Sequence, residues 1–305
     1  MDEFDWIHWI SKKAGKPPQG WIGIGDDAAV FPPTRRNSAI ATDVIVEGVD
    51  FDDSVSPKEA GHKALAINLS DMAAMGTKPT AFLMTLGVTE NWNGPKLKRF
   101  LAGVFQTARK HKVSCVGGDM TSAKQFFCSI TVWGEMAGRR PISRAGARVD
   151  DLIMVTGTLG GSILKKHYAF TPRTAESVWL SRHFPPTSMI DVSDGLMQDL
   201  KHILKESRCG ARIELDAIPV SVDSKVKHKT KDGALNGALS DGEDFELLLT
   251  VRPEMLPRLM TRWPKAFPKT QLTAIGRILS ESGKVSFFKG VKPVRFKPSP
   301  GFRHF

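Results

Sequence analysis

The residues in this chain best suited to chemistry are aspartates set beside glycines and at the ends of apolar runs. They occur in GIGDDAAVF (Asp26, Asp27), ATDVIVEG (Asp43), NLSDMAAMG (Asp71), VGGDMTS (Asp119) and IDVSDGL (Asp191, Asp194). A single Asp beside Gly ordinarily caps a helix or closes a turn. The same pattern repeated along the chain suggests a shared site. Two carboxylates about 4 Å apart repel by about 1 kcal/mol in water and about 4 kcal/mol at an effective dielectric near 20. Converging acids therefore need cations. Oxygen donors with little His or Cys suit Mg²⁺ better than zinc. Magnesium held by few protein ligands keeps waters and binds substrate phosphates, so the expected chemistry is that of a magnesium–nucleotide site.

Strands and helices must bring these acids together. Ser38 to Val46, Thr80 to Val88, Val113 to Val116 and Phe126 to Met136 read as strands. Pro57 to Met75 reads as a helix that starts on Pro and stops at Gly76, and Gly94 to His111 as an amphipathic helix. Asn68 and Asp71 are spaced i, i+3 and share a helix face. After the basic, Gly/Pro-containing GRRPISRAGARVDD the pattern restarts, with strands at Leu152 to Thr156, Met189 to Val192, Ala211 to Leu215, Phe245 to Val251 and Gln271 to Ile278. Asp191, Ser193 and Asp194 straddle a strand-to-helix turn that leads into LMQDLKHILKES, where helix-start amides are expected to favour phosphate oxygens. TGTLGGS reads equally as a phosphate cradle or as a tight turn. Arg144 reads as a neutraliser of transferred phosphate or as an exposed linker residue.

Length and charge bound the rest. At 305 residues the chain suits two domains, expected at 1–140 and 141–305. Mixed strands and helices in both halves imply an α/β fold class of layered α+β type. Lys and Arg number 43 against 32 Asp and Glu, a net charge of +11 that fits anionic partners. The cysteines, Cys115, Cys128 and Cys209, form no C-x-x-C pair, so neither a disulfide framework nor a zinc site is expected. No apolar run reaches a membrane span, and MDEFDWIHWIS is unlike a signal peptide, so the cytoplasm is the expected compartment. GIGDDA imitates a dinucleotide fingerprint, but AAVFPP follows where a helix should open. There is no G-x-x-x-x-G-K-[ST] and no kinase HRD motif.

In order along the chain, GIGDD, TDVIVEG, KALAINLSDMAAMG, VGGD, SRAGARVDDLIMVTGTLG, IDVSDGL and GEDFELL resemble the thiamine-monophosphate kinase family, within the larger group of aminoimidazole ribonucleotide synthetase-like ATP enzymes. The resemblance implies two α/β domains, the first forming a dimeric β-barrel and the second an α/β sandwich, and a homodimer. It implies transfer of the ATP γ-phosphoryl to thiamine monophosphate. Asp27, Thr42, Asp43, Asp71, Asp119, Asp191 and Asp194 match magnesium positions. Gly118, Asp119, Arg144 and Ser193 match nucleotide contacts, and Asp71, Asp119 and Arg144 are the residues expected to carry catalysis.

The acceptor side departs from the family pattern. Asp50 stands where VEGxHF has histidine, Ser299 where a C-terminal aromatic is usual, and Asp241 where Gly precedes the GED motif of Glu243; Ala41 replaces a Ser or Thr, and Met120 replaces Thr. Asp50 and Glu243 mark the expected acceptor site. The stretch from His183 to Met189 is short for the family. These departures leave open a paralogue with the same ATP chemistry and another small phosphorylated acceptor. A nucleic-acid binder is the contrasting class, suggested by the basic, aromatic tail FKGVKPVRFKPSPGFRHF and set aside in favour of a solvated tail.

Overall fold

A computed structural model describes residues 3–20 and 37–301. GIGDDAAVF, and with it Asp26 and Asp27, lies outside the described residues. The chain divides into two units, one of residues 1–72 and 77–136, the other of residues 73–76 and 137–305.

In the first unit, β1 (Ser38–Val46), β2 (Thr77–Val88), β3 (Ser114–Ser122) and β4 (Phe127–Met136) form a sheet of order β1-β4-β2-β3. β2 and β3 run parallel, joined through α3 (Pro95–His111), and the other pairs are antiparallel. β4 alternates half-buried and buried residues along its whole length, the period-2 signature of a sheet covered on one face. α2 (Pro57–Ala74) and α3 approach very closely: a Cβ on Gly61 would meet the Phe100 carbonyl, and one on Gly103 the Lys58 carbonyl. α1 (Glu3–Ala14) is anchored by Trp6 Nε1, which donates to Asn93 Oδ1 at 2.9 Å. The uncovered face exposes apolar side chains: Ile40 is 68% exposed, Val44 49% and Leu83 42%. Among the described residues this four-stranded sheet ends on β1 and β3 rather than closing into a barrel.

The second unit is a mixed seven-stranded sheet of order β11-β10-β7-β9-β5-β8-β6. Its strands are β5 (Leu152–Thr156), β6 (Ser188–Asp191), β7 (Gly210–Glu214), β8 (Leu247–Val251), β9 (Leu272–Leu279), β10 (Val285–Lys289) and β11 (Lys292–Val294). β5 and β8 are apolar but for one threonine each, Thr156 and Thr250, because both faces are covered. Ile153, Val155 and Leu248 pack with α6 (Leu196–Ser207) and α8 (Lys231–Ser240). Met154, Leu247 and Leu249 pack instead with α5 (Thr174–His183) and α9 (Leu256–Ala266). The result is a three-layer sandwich. Short helices α4 (Lys166–Ala169) and α7 (Val222–His228) complete the unit.

Two sequence expectations are adjusted here. The start of the basic tail is ordered strand that keeps its charges in solvent: it ends β10 and forms β11, Phe296 packs against the core residue Phe287 at 5.5 Å, and Arg212 lies over the Phe288 ring, while Lys289, Lys292, Arg295 and Lys297 stay exposed. Among the described residues the tail's aromatics, Phe288 and Phe296, are therefore engaged within the unit rather than free to stack on bases. β3 also runs well past Val116, through VGGDMTS, so Gly118 and Asp119 lie in a strand. The short run after His183 passes from α5 to β6 with only Phe184 to Thr187 between them. No helix of the described residues is long and apolar enough to cross a membrane.

Candidate active site

Each unit carries its own share of the candidate residues. In the first, Asp43 on β1 and Asp71 on α2 share a side-chain hydrogen bond. Burial raises the Asp43 pKa above the ordinary carboxylate value; the bond to Asp71 opposes that rise and the charge of Asp50 adds to it. One turn before Asp71, Asn68 is fully buried, donates to the Ala64 carbonyl, and has an Oδ1 without a hydrogen-bond partner. The facing carboxylates of Asp43 and Asp71, with a nearby orphan oxygen on Asn68, form an all-oxygen donor set that suits a hard divalent cation.

The sheet register separates the other acids of this unit. Asp43 aligns with Ile130, Met84 and Gly118, whereas Asp119 aligns with Thr85, Ser129 and Val44 on the uncovered face. Thr42 shares that face; its hydroxyl donates to the Ile130 carbonyl and accepts from Thr131. Asp119 is exposed, and its Oδ1 accepts the Met120 N–H at 2.9 Å. Gly118 has φ 153°, and a Cβ there would collide with the Met84 carbonyl, so the strand tolerates only glycine. Asp50 Oδ2 accepts the Val46 N–H at 2.8 Å while its own N–H returns to the Val46 carbonyl, so this side chain closes the VEGVD turn.

In the second unit, Asp191 ends β6 and is buried, and Ser193 and Asp194 follow in a turn before α6. The amides of the turn that precedes the helix are already engaged. The N–H groups of Ser193, Asp194 and Gly195 all donate to Asp199 Oδ2, at 3.1, 3.2 and 3.2 Å. Those three N–H groups are therefore not free to meet a phosphate oxygen. Burial, with the charges of Asp191 and Asp194 adding to it, pushes Asp199 up to about 8. The side chains of Asp194, Asp199 and His202 bring ligand atoms within 4.8 Å of one another.

TGTLGGS resolves as a turn. Gly160 N–H donates to Asp244 Oδ2 and Gly161 N–H to Asp241 Oδ2, each at 2.8 Å. Asp241 is also held by His228 and Lys227, and its pKa lies below the usual range because these partners and the Gly161 N–H outweigh its burial. Asp244 and Glu246 share Lys166, and Glu246 takes a two-pronged contact from Arg173. Burial pushes Asp244 up to about 6. Burial acts on Glu246 too, but Lys166 and Arg173 outweigh it and hold that carboxyl below its ordinary value.

Glu243 adopts φ 53°, and its Oε2 lies 2.9 Å from Nδ1 of the buried His167. Arg144 is exposed, in a loop whose carbonyl and following amides bond Ser207 on α6. Ser299 is bound on both sides by Asn236: its N–H donates to Oδ1 at 3.0 Å, and its hydroxyl accepts from Nδ2 at 2.7 Å.

With this geometry in view, the likeness to known proteins is decisive. Residues 25–136 match the family described as AIR synthase related protein, N-terminal domain. Over 327 aligned residues, all of this chain and 99% of the relative, the chain is 35% identical to the thiamine-monophosphate kinase of Buchnera aphidicola subsp. Schizaphis graminum. The chain belongs to the thiamine-monophosphate kinase family. It is therefore an enzyme, a transferase of the kinase type. The solved thiamine-monophosphate kinase from Stenotrophomonas maltophilia K279a superposes with TM-score 0.80 at 29% identity, over 94% of this chain and 96% of that one. A structure of AaThiL complexed with AMPPCP and TMP superposes with TM-score 0.75 at 28% identity, over 99% and 97%.

Within this thiamine-monophosphate kinase fold, sequence reasoning missed Asp199 and His167. For Asp199 a signal existed. In LMQDLKHILKES it falls in the apolar stripe of Leu196, Leu200, Ile203 and Leu204, where an acid needs a buried partner. His167 carried no such signal, because its partner Glu243 is distant in sequence.

Proposed function

We propose that the chain transfers the γ-phosphoryl group of ATP to the phosphate of thiamine monophosphate, in line and without a phosphoenzyme, giving thiamine diphosphate and ADP. The observation that carries this reading is the joining of Ser193, the nucleotide-side candidate, to Glu243, the acceptor-side candidate, in one hydrogen-bonded pair of loops. The full-length likeness to thiamine-monophosphate kinases supports it.

The acceptor phosphate has a second pKa near 6, so it is mostly dianionic at pH 7 and needs no strong base. The chain's task is to position and to neutralise. Asp43 and Asp71, with Asp27, Thr42, Asp119, Asp191 and Asp194, would hold several Mg²⁺ ions. When bound, Mg²⁺ supplies charge neutralisation of the triphosphate and a template for in-line displacement. Arg144 extends an exposed guanidinium suited to phosphate oxygens, Ser193 and the narrow Gly118–Asp119 strand receive the nucleotide, and Glu243, steadied by His167, faces the acceptor.

The homodimer belongs to this proposal. The uncovered apolar face of the four-stranded sheet needs a partner, and a second copy fits it. The edge strands carry complementary halves of the donor set, Thr42 and Asp43 on β1 and Gly118 and Asp119 on β3. Two such sheets paired edge to edge into a barrel would set β3 of one copy against β1 of the other.

The test is an assay of purified protein with Mg-ATP and thiamine monophosphate beside a panel of small phosphorylated acceptors. Equimolar ADP and thiamine diphosphate are expected. A second reading keeps the ATP chemistry and changes the acceptor. It is favoured by Asp50 and Ser299, whose side chains are engaged by Val46 and Asn236. ADP formation with another acceptor, and none with thiamine monophosphate, would select it.

A further inference from the structure

We propose that Asp199 is a positioning residue for Mg-ATP: it draws the Ser193–Gly195 amides inward, so that the turn can engage nucleotide and metal only through the side chains of Ser193 and Asp194. This rests on the phosphotransfer reading above, which places those two side chains against nucleotide and metal.

The geometry differs from an ordinary helix cap. A capping side chain precedes its helix and bonds the amides of the first turn. Asp199 is the fourth residue of α6 and reaches backward, to amides that precede the helix or lie at its start. One oxygen collects the three amides while the carbonyl of Gly195 takes the N–H groups of Gln198 and Asp199. The turn is pinned elsewhere too. Ser193 O accepts the Glu243 N–H, and Gly195, at φ 115°, lies against the backbone of Ser240. Without Asp199 three inward amides lose their acceptor, and the turn is free to rotate them outward, which displaces Ser193 and Asp194 together. The Glu243 backbone bond remains, so the acceptor side should change little.

The experiment compares Asp199→Ala, Asp199→Asn, Ser193→Ala and Asp194→Asn in steady-state kinetics, varying Mg-ATP and thiamine monophosphate separately. Asp199→Ala is expected to raise the KM for Mg-ATP about tenfold or more, with the KM for thiamine monophosphate changed less than about twofold. Asp199→Asn keeps an acceptor oxygen and is expected to stay within about threefold of the parent. Equal shifts in both KM values, or an Asn variant as impaired as Ala, overturn the proposal. If Asp194→Asn and Ser193→Ala leave Mg-ATP kinetics unchanged, the site reading beneath it falls as well. Amide hydrogen exchange in the unmodified protein supplies a readout that does not depend on a variant folding. The Asp194 and Gly195 amides are expected to exchange slowly, and exchange at the rate of an open loop overturns the proposal.

Discussion

The backbone N–H of Glu243 donates to the carbonyl of Ser193 at 2.6 Å, and two neighbouring bonds join Val192 to Phe245 and Glu246 at 2.8 Å. These bonds carry the β6–β8 pairing beyond the strands into the two loops that hold candidate residues. They also stabilise an unfavourable backbone, since Glu243 and Phe245 have φ of 53° and 49°. Such conformations in residues other than glycine cost on the order of 1 kcal/mol or more each, and concentrate at functional sites.

Glu243→Gly should separate strain from function. The glycine accepts the positive φ, so the melting temperature is expected to hold or to rise by an amount equivalent to about 1 kcal/mol. Acceptor turnover is expected to fall at least tenfold, since the carboxylate and its contact to His167 are gone. Unchanged turnover would remove Glu243 from the acceptor site.

Asp71→Asn and Asp119→Asn each remove a charge from the donor set without changing side-chain volume. Turnover is expected to drop by orders of magnitude while circular dichroism and melting stay close to the parent. Near-normal rates in either variant would contradict the metal assignment.

Glu246 is 1% exposed and receives Lys166, Arg173 and Thr156. Glu246→Gln leaves two cations without their shared counter-charge. Removing one partner of a buried ion network typically costs about 3–5 kcal/mol, so a large drop in the denaturation midpoint is expected. A loss below about 1 kcal/mol would mean that water already screens these groups.

Asp244 supplies a pH dependence of known sign. Its carboxyl is raised from 3.8 to about 6, so between those values the folded chain keeps a proton that the unfolded chain has released. Its contribution is therefore complete below the unfolded value and is lost as pH rises through about 6. The span corresponds to roughly 3 kcal/mol. Chemical denaturation of the parent and of Asp244→Asn, from about pH 4 to about pH 7, should show this downward slope in the parent and a flatter curve in the variant. Parallel curves would refute the shift.

Ile40→Asp places a charge on the uncovered face of the four-stranded sheet, at a side chain 68% exposed in the single chain. If two copies pair there, light scattering should shift from dimer toward monomer and turnover should fall with it. A variant that keeps the parent mass would exclude this face.

The local pattern of residues determined the elements and the identity of the acids. Alternation along SAIATDVIV and the Pro and Gly that bound α2 fixed their positions to within a residue or two, because side-chain period and backbone restriction are properties of neighbours in sequence. The motif aspartates were legible for the same reason. What those residues bond to was decided by the tertiary structure. Whether TGTLGGS offers its amides to phosphate depended on Asp241 and Asp244, some eighty residues away and brought near by the pairing of β5 with β8. Asp199, from the first turn of α6, took the amides of the three residues just before that helix, a partnership that the strand-to-helix pattern did not announce. A hydrogen bond is satisfied in space, and spacing along the chain reports only the partners within a turn or two.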